Sequence, residues 1–226
     1  MELQDVVPWG RNLAEYQQMF ALESADLTRQ ILGSGDGPAS FNAEMLALGH
    51  RVVSIDPIYQ FTADQIRQRV ESTYDKIIAQ VKVAPQSYVW RTFANPDALG
   101  RSRLESMERF LEDYDRGLAD GRYLAQFLPK LDLHDRQFDL CLCSHFLFLY
   151  SQHLDLAFHQ AAIAELLRVA DEVRIFPLLT LQNTRSAYLE PVLAELTAAG
   201  HQTEIVTVDY EFQRGANQML KIIAHR

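Results

Sequence analysis

Short apolar segments alternate with amphipathic segments along most of this 226-residue chain, and this alternation constrains the fold more than any other feature. A strand–helix–strand rhythm builds a mostly parallel sheet with helices on both faces. Strands are predicted at about residues 30–32, 51–55, 122–126, 138–143, 172–176, 202–209 and 218–224. Helices are predicted at about residues 13–23, 39–48, 63–73 with a continuation towards 81, 154–169 and 189–199. The pattern indicates one α/β domain over residues 1–226, with a doubly wound, seven-stranded sheet.

The last two predicted strands are joined by a short connection that contains Gly215. Such a connection is too short for the crossover that parallel neighbours require. The sequence therefore predicts a mostly parallel sheet with an antiparallel C-terminal strand.

Residues 84–120 interrupt the alternation. One apolar stripe of helical spacing runs through this segment, formed by Leu104, Met107, Leu111, Tyr114 and Leu118. Connections between a helix and a strand usually have about 2–6 residues, so we expect a helical insertion at about 84–120. It serves either as a buttress packed on the sheet or as a wall over a substrate pocket.

Composition limits the partners. The net charge is −9, and a negative surface is a poor replacement for the counterions of a phosphate backbone, so no nucleic-acid partner is expected. The longest apolar stretch, residues 140–150, is far shorter than the roughly 20 residues that span a bilayer, so no membrane partner is expected. The first residues lack the apolar core of a secretory signal, and two cysteines provide no disulfide framework. A cytoplasmic protein is therefore predicted.

The segment ILGSGDGP at residues 31–38 lies between a predicted strand and a predicted helix. Its glycines allow a sharp turn and a close approach of the backbone to a ligand. Asp56 ends the next strand, 21 residues after Gly35. In a doubly wound sheet a carboxylate at that place lies beside the first loop and can accept both ribose hydroxyls of a nucleoside.

These segments resemble the motifs of the class I S-adenosylmethionine-dependent methyltransferases. The first motif of that family is similar to GSGDGPA at 33–39, and its ribose-binding acid corresponds to Asp56 in SIDP at 54–57. The approach to the fourth strand is similar to Leu128-Pro129, Asp135 and FDL at 138–140. With the antiparallel closing pair, the resemblance covers roughly residues 12–83 and 121–226.

The resemblance implies S-adenosylmethionine as cofactor and in-line methyl transfer, and the acidic net charge favours a small-molecule acceptor over DNA or RNA. It assigns the methionine part of the cofactor to Gly33, Ser34, Gly35, Asp36 and Gly37. It assigns the ribose to Asp56, one adenine face to Pro57 and Ile58, an amide near adenine to Gln126, and the border of the reacting centre to Ser144 and His145. His145 is the candidate general base, and its alternative role is to cap a helix or to form a hydrogen bond within the core.

The chain departs from the family pattern at three places. Gly33 stands where the family has an acid, Ala39 replaces the third glycine, and no acid follows the third strand near residues 124–126. Asp36 is a possible electrostatic substitute for the missing acid.

Two other interpretations stay open. A non-catalytic methyltransferase-like protein would keep the pocket as a binding module or scaffold. An NAD-binding Rossmann domain would share the loop and the acid, but its G-x-G-x-x-G fingerprint meets Ser40 in place of the third glycine. No His, Cys, Asp and Glu grouping has the spacing of a metal site, so no metal is expected.

Overall fold

The computed structural model describes residues 9–225. Residues 1–8 and 226 lie outside the described residues, and with them most of the segment on which the prediction about a secretory signal rests.

All seven predicted strands are present in one sheet, in the order β3-β2-β1-β4-β5-β7-β6. The strands are β1 (Ile31–Ser34), β2 (Val52–Ile55), β3 (Tyr123–Leu124), β4 (Phe138–Ser144), β5 (Ala170–Phe176), β6 (Gln202–Thr207) and β7 (Gln218–Ile223). β7 pairs antiparallel with both of its neighbours, and the pairs on the other side of β5 are all parallel. The predicted doubly wound sheet with an antiparallel C-terminal strand is confirmed.

Within residues 9–225, six α-helices surround the sheet: α1 (Leu13–Met19), α2 (Phe41–Ala47), α3 (Ala63–Val83), α4 (Pro96–Ala119), α5 (Leu156–Val169) and α6 (Leu189–Ala198). Side-chain caps fix where several of them begin, because Asn12, Thr62, Asn95 and Asp155 each accept a hydrogen bond from a backbone N–H of the first turn. α1 is shorter than predicted, since Ala21 adopts a left-handed backbone conformation with φ 46°. α3 is longer than predicted and ends at Val83.

The two faces of the sheet have separate apolar cores. On one face α5 and α6 pack against β4 and β5, in a cluster that includes Leu166, Leu196, Val173 and the two unpaired cysteines Cys141 and Cys143. On the other face α1 and α2 pack against β1, β2 and β4 through residues such as Tyr16, Phe41 and Leu140. These cores hold the strands rigidly, so the loops that follow their carboxyl ends keep fixed positions.

α4 packs against β3, the strand at one edge of the sheet. The ring of Tyr123 in β3 packs on Phe110 and Tyr114 of α4, with ring centroids 5.2 and 5.6 Å apart. Gly117 permits this approach, because a Cβ there would stand 2.2 Å from the Tyr123 ring. Within the predicted stripe of α4, Met107, Leu111 and Tyr114 are buried, Leu104 is half-buried, and Leu118 is 37% exposed.

α3 packs on α4 rather than on the strands. Ile66 and Val70 of α3 share a cluster with Met107 of α4, and Tyr74 approaches Gly100 so closely that a Cβ there would lie 2.3 Å from its hydroxyl oxygen. α3 therefore forms a second layer outside α4. No helix among residues 9–225 is both long enough and apolar enough to cross a membrane.

Candidate active site

The carboxyl ends of four neighbouring strands open into one cavity of about 770 Å³. Ser34, Ile55, His145 and Phe176, at or next to the ends of β1, β2, β4 and β5, all line it. Ligands of doubly wound folds bind at this edge of the sheet. A cavity of this size suits a drug-sized ligand.

Most of the predicted site residues line this cavity. Those that do are Ser34, Gly35, Asp36, Gly37, Asp56, Pro57, Ile58, Gln126 and His145. Gly33 and Ser144 are not among the lining residues: Gly33 lies within β1, and Ser144 is a buried residue at the end of β4.

The loop after β1 needs glycine at two positions for different reasons. Gly35 has φ +70°, and a Cβ there would meet the Cβ of Phe146 at 2.9 Å. Gly37 has φ +54°, and a Cβ there would find open space within 4 Å. Packing therefore excludes a side chain at Gly35. At Gly37 the positive φ favours glycine, and the absence of a side chain leaves the backbone uncovered at the cavity wall.

Asp36 occupies the place of the side chain that Gly33 lacks. A Cβ built on Gly33 would lie 1.9 Å from Oδ2 of Asp36 and 2.8 Å from its Oδ1. The carboxylate is held there by two hydroxyl donors, Tyr16 to Oδ1 at 2.6 Å and Ser54 to Oδ2 at 2.7 Å. The chain thus has a carboxylate at the end of β1, supplied from three residues further along.

Burial has a large effect on Asp36. Loss of hydration, opposed by the hydrogen bonds from Tyr16 and Ser54 and reinforced by the charge of Asp56, raises its pKa to about 7. At neutral pH the carboxyl group is therefore close to half-ionised. A cationic group in the cavity would stabilise the ionised form.

Asp56 fastens the glycine loop to the end of β2. Its Oδ2 accepts the Gly37 N–H at 2.9 Å, and its Oδ1 accepts the Ile58 N–H at 2.8 Å. Burial raises the pKa of Asp56, and the two backbone donors oppose that rise. Because each carboxylate oxygen has a second lone pair, Asp56 can still accept hydrogen bonds from a ligand.

Gln126 lines the cavity, but its amide already has partners. Its Oε1 accepts the Asp132 N–H at 2.9 Å, and its Nε2 donates to the Asp132 carbonyl at 3.4 Å. Pro57, Ile58 and Phe127 also line the cavity.

His145 follows β4 with a left-handed backbone, φ 51°. Its N–H donates to the Phe176 carbonyl at 2.7 Å, and its ring lies 5.3 Å from the Phe176 ring. Its Nδ1 is 3.2 Å from the Ser144 hydroxyl. Burial, with the positive charges of Arg11 and Arg103, lowers the pKa of His145 well below its ordinary value, so the imidazole is neutral at pH 7.

The sequence patterns missed three parts of the cavity wall. α3 and the residues just before it contribute Phe61, Ile66, Ile77 and Val81; the chain before α1 contributes Trp9 and Arg11; the connection between β6 and β7 contributes Tyr210, Phe212 and Gln213. No motif marks these residues. The only signal in the sequence is the concentration of aromatic residues in segments outside the strands.

A buried ion pair joins α1, α4 and the connection between β6 and β7. The Arg103 guanidinium of α4 donates to both carboxylate oxygens of Glu15 in α1, and the Tyr210 hydroxyl donates to Oε1 of Glu15 at 2.9 Å. Burial alone would raise the pKa of Glu15, but the charge and hydrogen bonds of Arg103 hold it below its ordinary value. α1, α4 and the β6–β7 connection are thereby fixed relative to one another.

No family model matches the chain. An uncharacterized protein of Methanocaldococcus jannaschii, MJ0045, is 33% identical over 223 residues, which cover 98% of each chain. The present chain belongs to the family of that protein. The similarity therefore extends over almost the whole length of both proteins.

Solved structures show a similar fold at low sequence identity. WbdD, crystallised with a kinase inhibitor, has a TM-score of 0.51 and 10% identity, over 95% of this chain and 40% of that one. Magnesium protoporphyrin IX methyltransferase of Synechocystis PCC 6803, with bound SAM, has a TM-score of 0.48 and 13% identity, over 94% of this chain and 81% of that one. The strand order, with β7 reversed, is that of the class I methyltransferase fold.

Proposed function

We propose that this protein is an S-adenosylmethionine-dependent methyltransferase that acts on a small-molecule acceptor. The observation that carries the proposal is the position of Asp36, whose carboxylate fills the space of the side chain missing at Gly33. Asp36 would thereby replace the acid that the family has at the position of Gly33.

The residues at the cavity wall fit the cofactor. The backbone of 34–37 and the Asp36 carboxylate would hold the methionine part, with Asp36 paired to its ammonium group. Asp56 would accept the ribose hydroxyls, and Pro57 and Ile58 would pack on one face of the adenine. Open space at Gly37 leaves the backbone of the 34–37 loop accessible to the methionine part. When bound, S-adenosylmethionine supplies an activated methyl group on a sulfonium sulfur.

The chain itself has three tasks in such a reaction. The enclosing apolar wall excludes water, and the fixed loops align the acceptor with the methyl group. His145 would take the proton of an acceptor hydroxyl at Nε2, since its Nδ1 faces Ser144. Its low pKa keeps the imidazole in the neutral form that a base requires.

Calorimetric titration tests the cofactor assignment. We expect saturable binding of S-adenosylmethionine and S-adenosylhomocysteine, and no binding of NAD or NADH. Asp56→Asn should weaken adenosyl binding by about tenfold or more, because hydrogen bonds to a charged acceptor are lost. Asp115→Asn, a change at an exposed acid on α4, is the matched control and should bind like the wild type.

Turnover separates the enzyme from the scaffold. Formation of S-adenosylhomocysteine with a panel of small acceptors would support the enzyme. Binding of both adenosyl ligands without turnover across the panel would favour the scaffold. Absence of adenosyl binding in the wild-type protein would overturn the proposed function.

A further inference from the structure

The cavity has a second region beyond the one assigned to the cofactor. We define the aromatic half by the lining residues Trp9, Tyr88, Leu99, Leu149, Leu181 and Phe212. Two contacts support parts of its wall: Tyr88 stacks on Phe212 with ring centroids 4.7 Å apart, and the Leu181 N–H donates to the Leu149 carbonyl at 3.2 Å. Its aromatic and leucine side chains offer apolar surface to a ligand.

Charge is distributed unevenly along the cavity. Among the described residues that line it, the carboxylates are Asp36 and Asp56, and both belong to the loops after β1 and β2. The arginines are Arg11 and Arg69, of which Arg69 is exposed and is not without a partner. None of the six residues that define the aromatic half is charged, and Arg11 is bonded to one of them, because its guanidinium donates to the Trp9 carbonyl.

Arg11 is incompletely paired. Its Nη1 donates to the Trp9 carbonyl at 3.1 Å, whereas its Nε is buried and has no hydrogen-bond partner within the described part of the chain. Glu15, whose charge acts on Arg11, is already bound by Arg103 and Tyr210. No ion pair joins Arg11 to a carboxylate within 9–225.

A cation in such surroundings is costly to bury. Burial and the neighbouring charge of Arg103 lower the pKa of Arg11, because both disfavour its positive charge. An anionic ligand would offset that cost and would bind more tightly than a neutral ligand of the same shape.

Arg11 also acts electrostatically on His145, and both side chains line the cavity. A ligand whose anionic group binds Arg11 would have its apolar body against the aromatic half and would reach His145. We propose that the methyl acceptor is an apolar molecule with an aromatic or similarly flat body and one anionic group, and that Arg11 binds that group. The role of this ligand as a methyl acceptor rests on the proposed function. The binding of an anionic group by Arg11 rests on the cavity alone.

Two matched dyes test the inference. 1-Anilinonaphthalene-8-sulfonate has an aromatic body with one anionic group, and N-phenyl-1-naphthylamine has the same body without it. Fluorescence titrations of both dyes are made with and without S-adenosylhomocysteine. We expect the anionic dye to bind wild-type protein at least about tenfold more tightly than the neutral dye.

Three variants assign the effect to residues. Arg11→Gln should remove the tenfold preference and leave the neutral dye unchanged. Arg69→Gln, which removes the other cation of the cavity, should keep the preference. Leu181→Ala should weaken both dyes alike, because it removes apolar contact from the aromatic half.

The outcomes separate this inference from the proposed function. Equal affinity for the two dyes, or an unchanged preference in Arg11→Gln, would overturn the anion site. Weaker binding of S-adenosylhomocysteine by Arg11→Gln with unchanged dye binding would assign Arg11 to the cofactor and also overturn it. An Arg11-dependent preference in a protein that binds no adenosyl ligand would keep the anion site and overturn the proposed function.

Discussion

Gly33 and Asp36 share one volume at the end of β1, so their substitutions should be coupled. In Gly33→Ala the new Cβ would lie 1.9 Å from Oδ2 of Asp36, and we expect a loss of about 1–3 kcal/mol in the free energy of unfolding from overpacking. Asp36→Ala alone should also destabilise the protein, because the Tyr16 and Ser54 hydroxyls lose their acceptor. In the double variant the overlap is absent.

Urea unfolding of the four proteins measures the coupling. We expect the double variant to lose less stability than the sum of the single losses, by about 1 kcal/mol or more. Gly33→Asp combined with Asp36→Ala restores the family pattern and should recover part of the affinity for S-adenosylhomocysteine that Asp36→Ala loses. Additive losses would mean that the two positions do not compete for space.

The raised pKa of Asp36 predicts a specific dependence of stability on pH. Between the ordinary value of 3.8 and the folded value of about 7, Asp36 is protonated in the folded protein and ionised in the unfolded chain. The folded state then binds more protons, so the free energy of unfolding should fall as pH rises through this window. Asp36→Asn should show a smaller fall, with Asp115→Asn as the control for an exposed acid.

The ionisation of Asp36 should also govern cofactor binding, which calorimetry at several pH values can measure. The ammonium group of S-adenosylhomocysteine favours ionised Asp36, so affinity should rise with pH up to and just above about 7. In Asp36→Asn the affinity should be weaker and nearly independent of pH in this range. A wild-type affinity that falls with rising pH would contradict the assignment.

At the scale of the elements, the helices between β2 and β3 differ from the sequence expectation in their roles. Periodicity predicted a helix after residue 63 and another within 84–120, and both exist as α3 and α4. α4 forms the layer against the sheet, and α3 lies outside it and supplies Ile66, Ile77 and Val81 to the cavity. The helical insertion at about 84–120 stays a prediction; α4 lies within that segment, and α3 lies before it.

Amphipathic periodicity could not assign those roles. A stripe of apolar residues shows that a helix buries one face, but not which neighbour covers it. The deciding contacts are tertiary, such as Tyr123 against Phe110 and Gly117. Strand-end motifs pointed to the loop at 34–37 and to Asp56, which line the cavity, because such motifs depend on local backbone geometry. Arg11 and Phe212 reach the cavity only through folding, and no local pattern marks them.

The second-layer position of α3 predicts that it opens more readily than α4. In hydrogen exchange we expect amides of Ala63–Val83 to exchange faster than those of Pro96–Ala119 in the ligand-free protein. S-adenosylhomocysteine with the anionic dye should slow exchange in α3, because Ile66, Ile77 and Val81 line the cavity that the two ligands would fill. α6, on the opposite face of the sheet, is the internal reference and should not change. Equal protection of α3 and α4 without ligand would contradict the two-layer arrangement.

At the scale of the whole molecule, the sequence contained enough to predict the sheet. Seven apolar segments, the rules for crossover connections and one connection too short for a helix together predict a parallel sheet with one reversed strand. The lengths of the strands were harder to predict: β3 has only two residues, and shortly after it Gln126 is bonded to Asp132. Local propensity does not contain that information.

The net charge of the chain and the positive charge of Arg11 should affect two kinds of anion in opposite ways, a polyanion and a small apolar anion. A net charge of −9 repels a polyanion, so a labelled single-stranded oligonucleotide should show no saturable anisotropy change up to about 100 µM at about 0.15 M salt. The anionic dye should bind under the same conditions, since Arg11 is half-buried and is partly shielded from solvent ions. Raising the salt concentration should weaken dye binding only slightly, because buried charge pairs are screened much less than exposed ones. Oligonucleotide binding that weakens steeply with salt would instead show a basic surface strong enough to overcome the net charge, and nucleic acid would replace the small molecule as the acceptor to test.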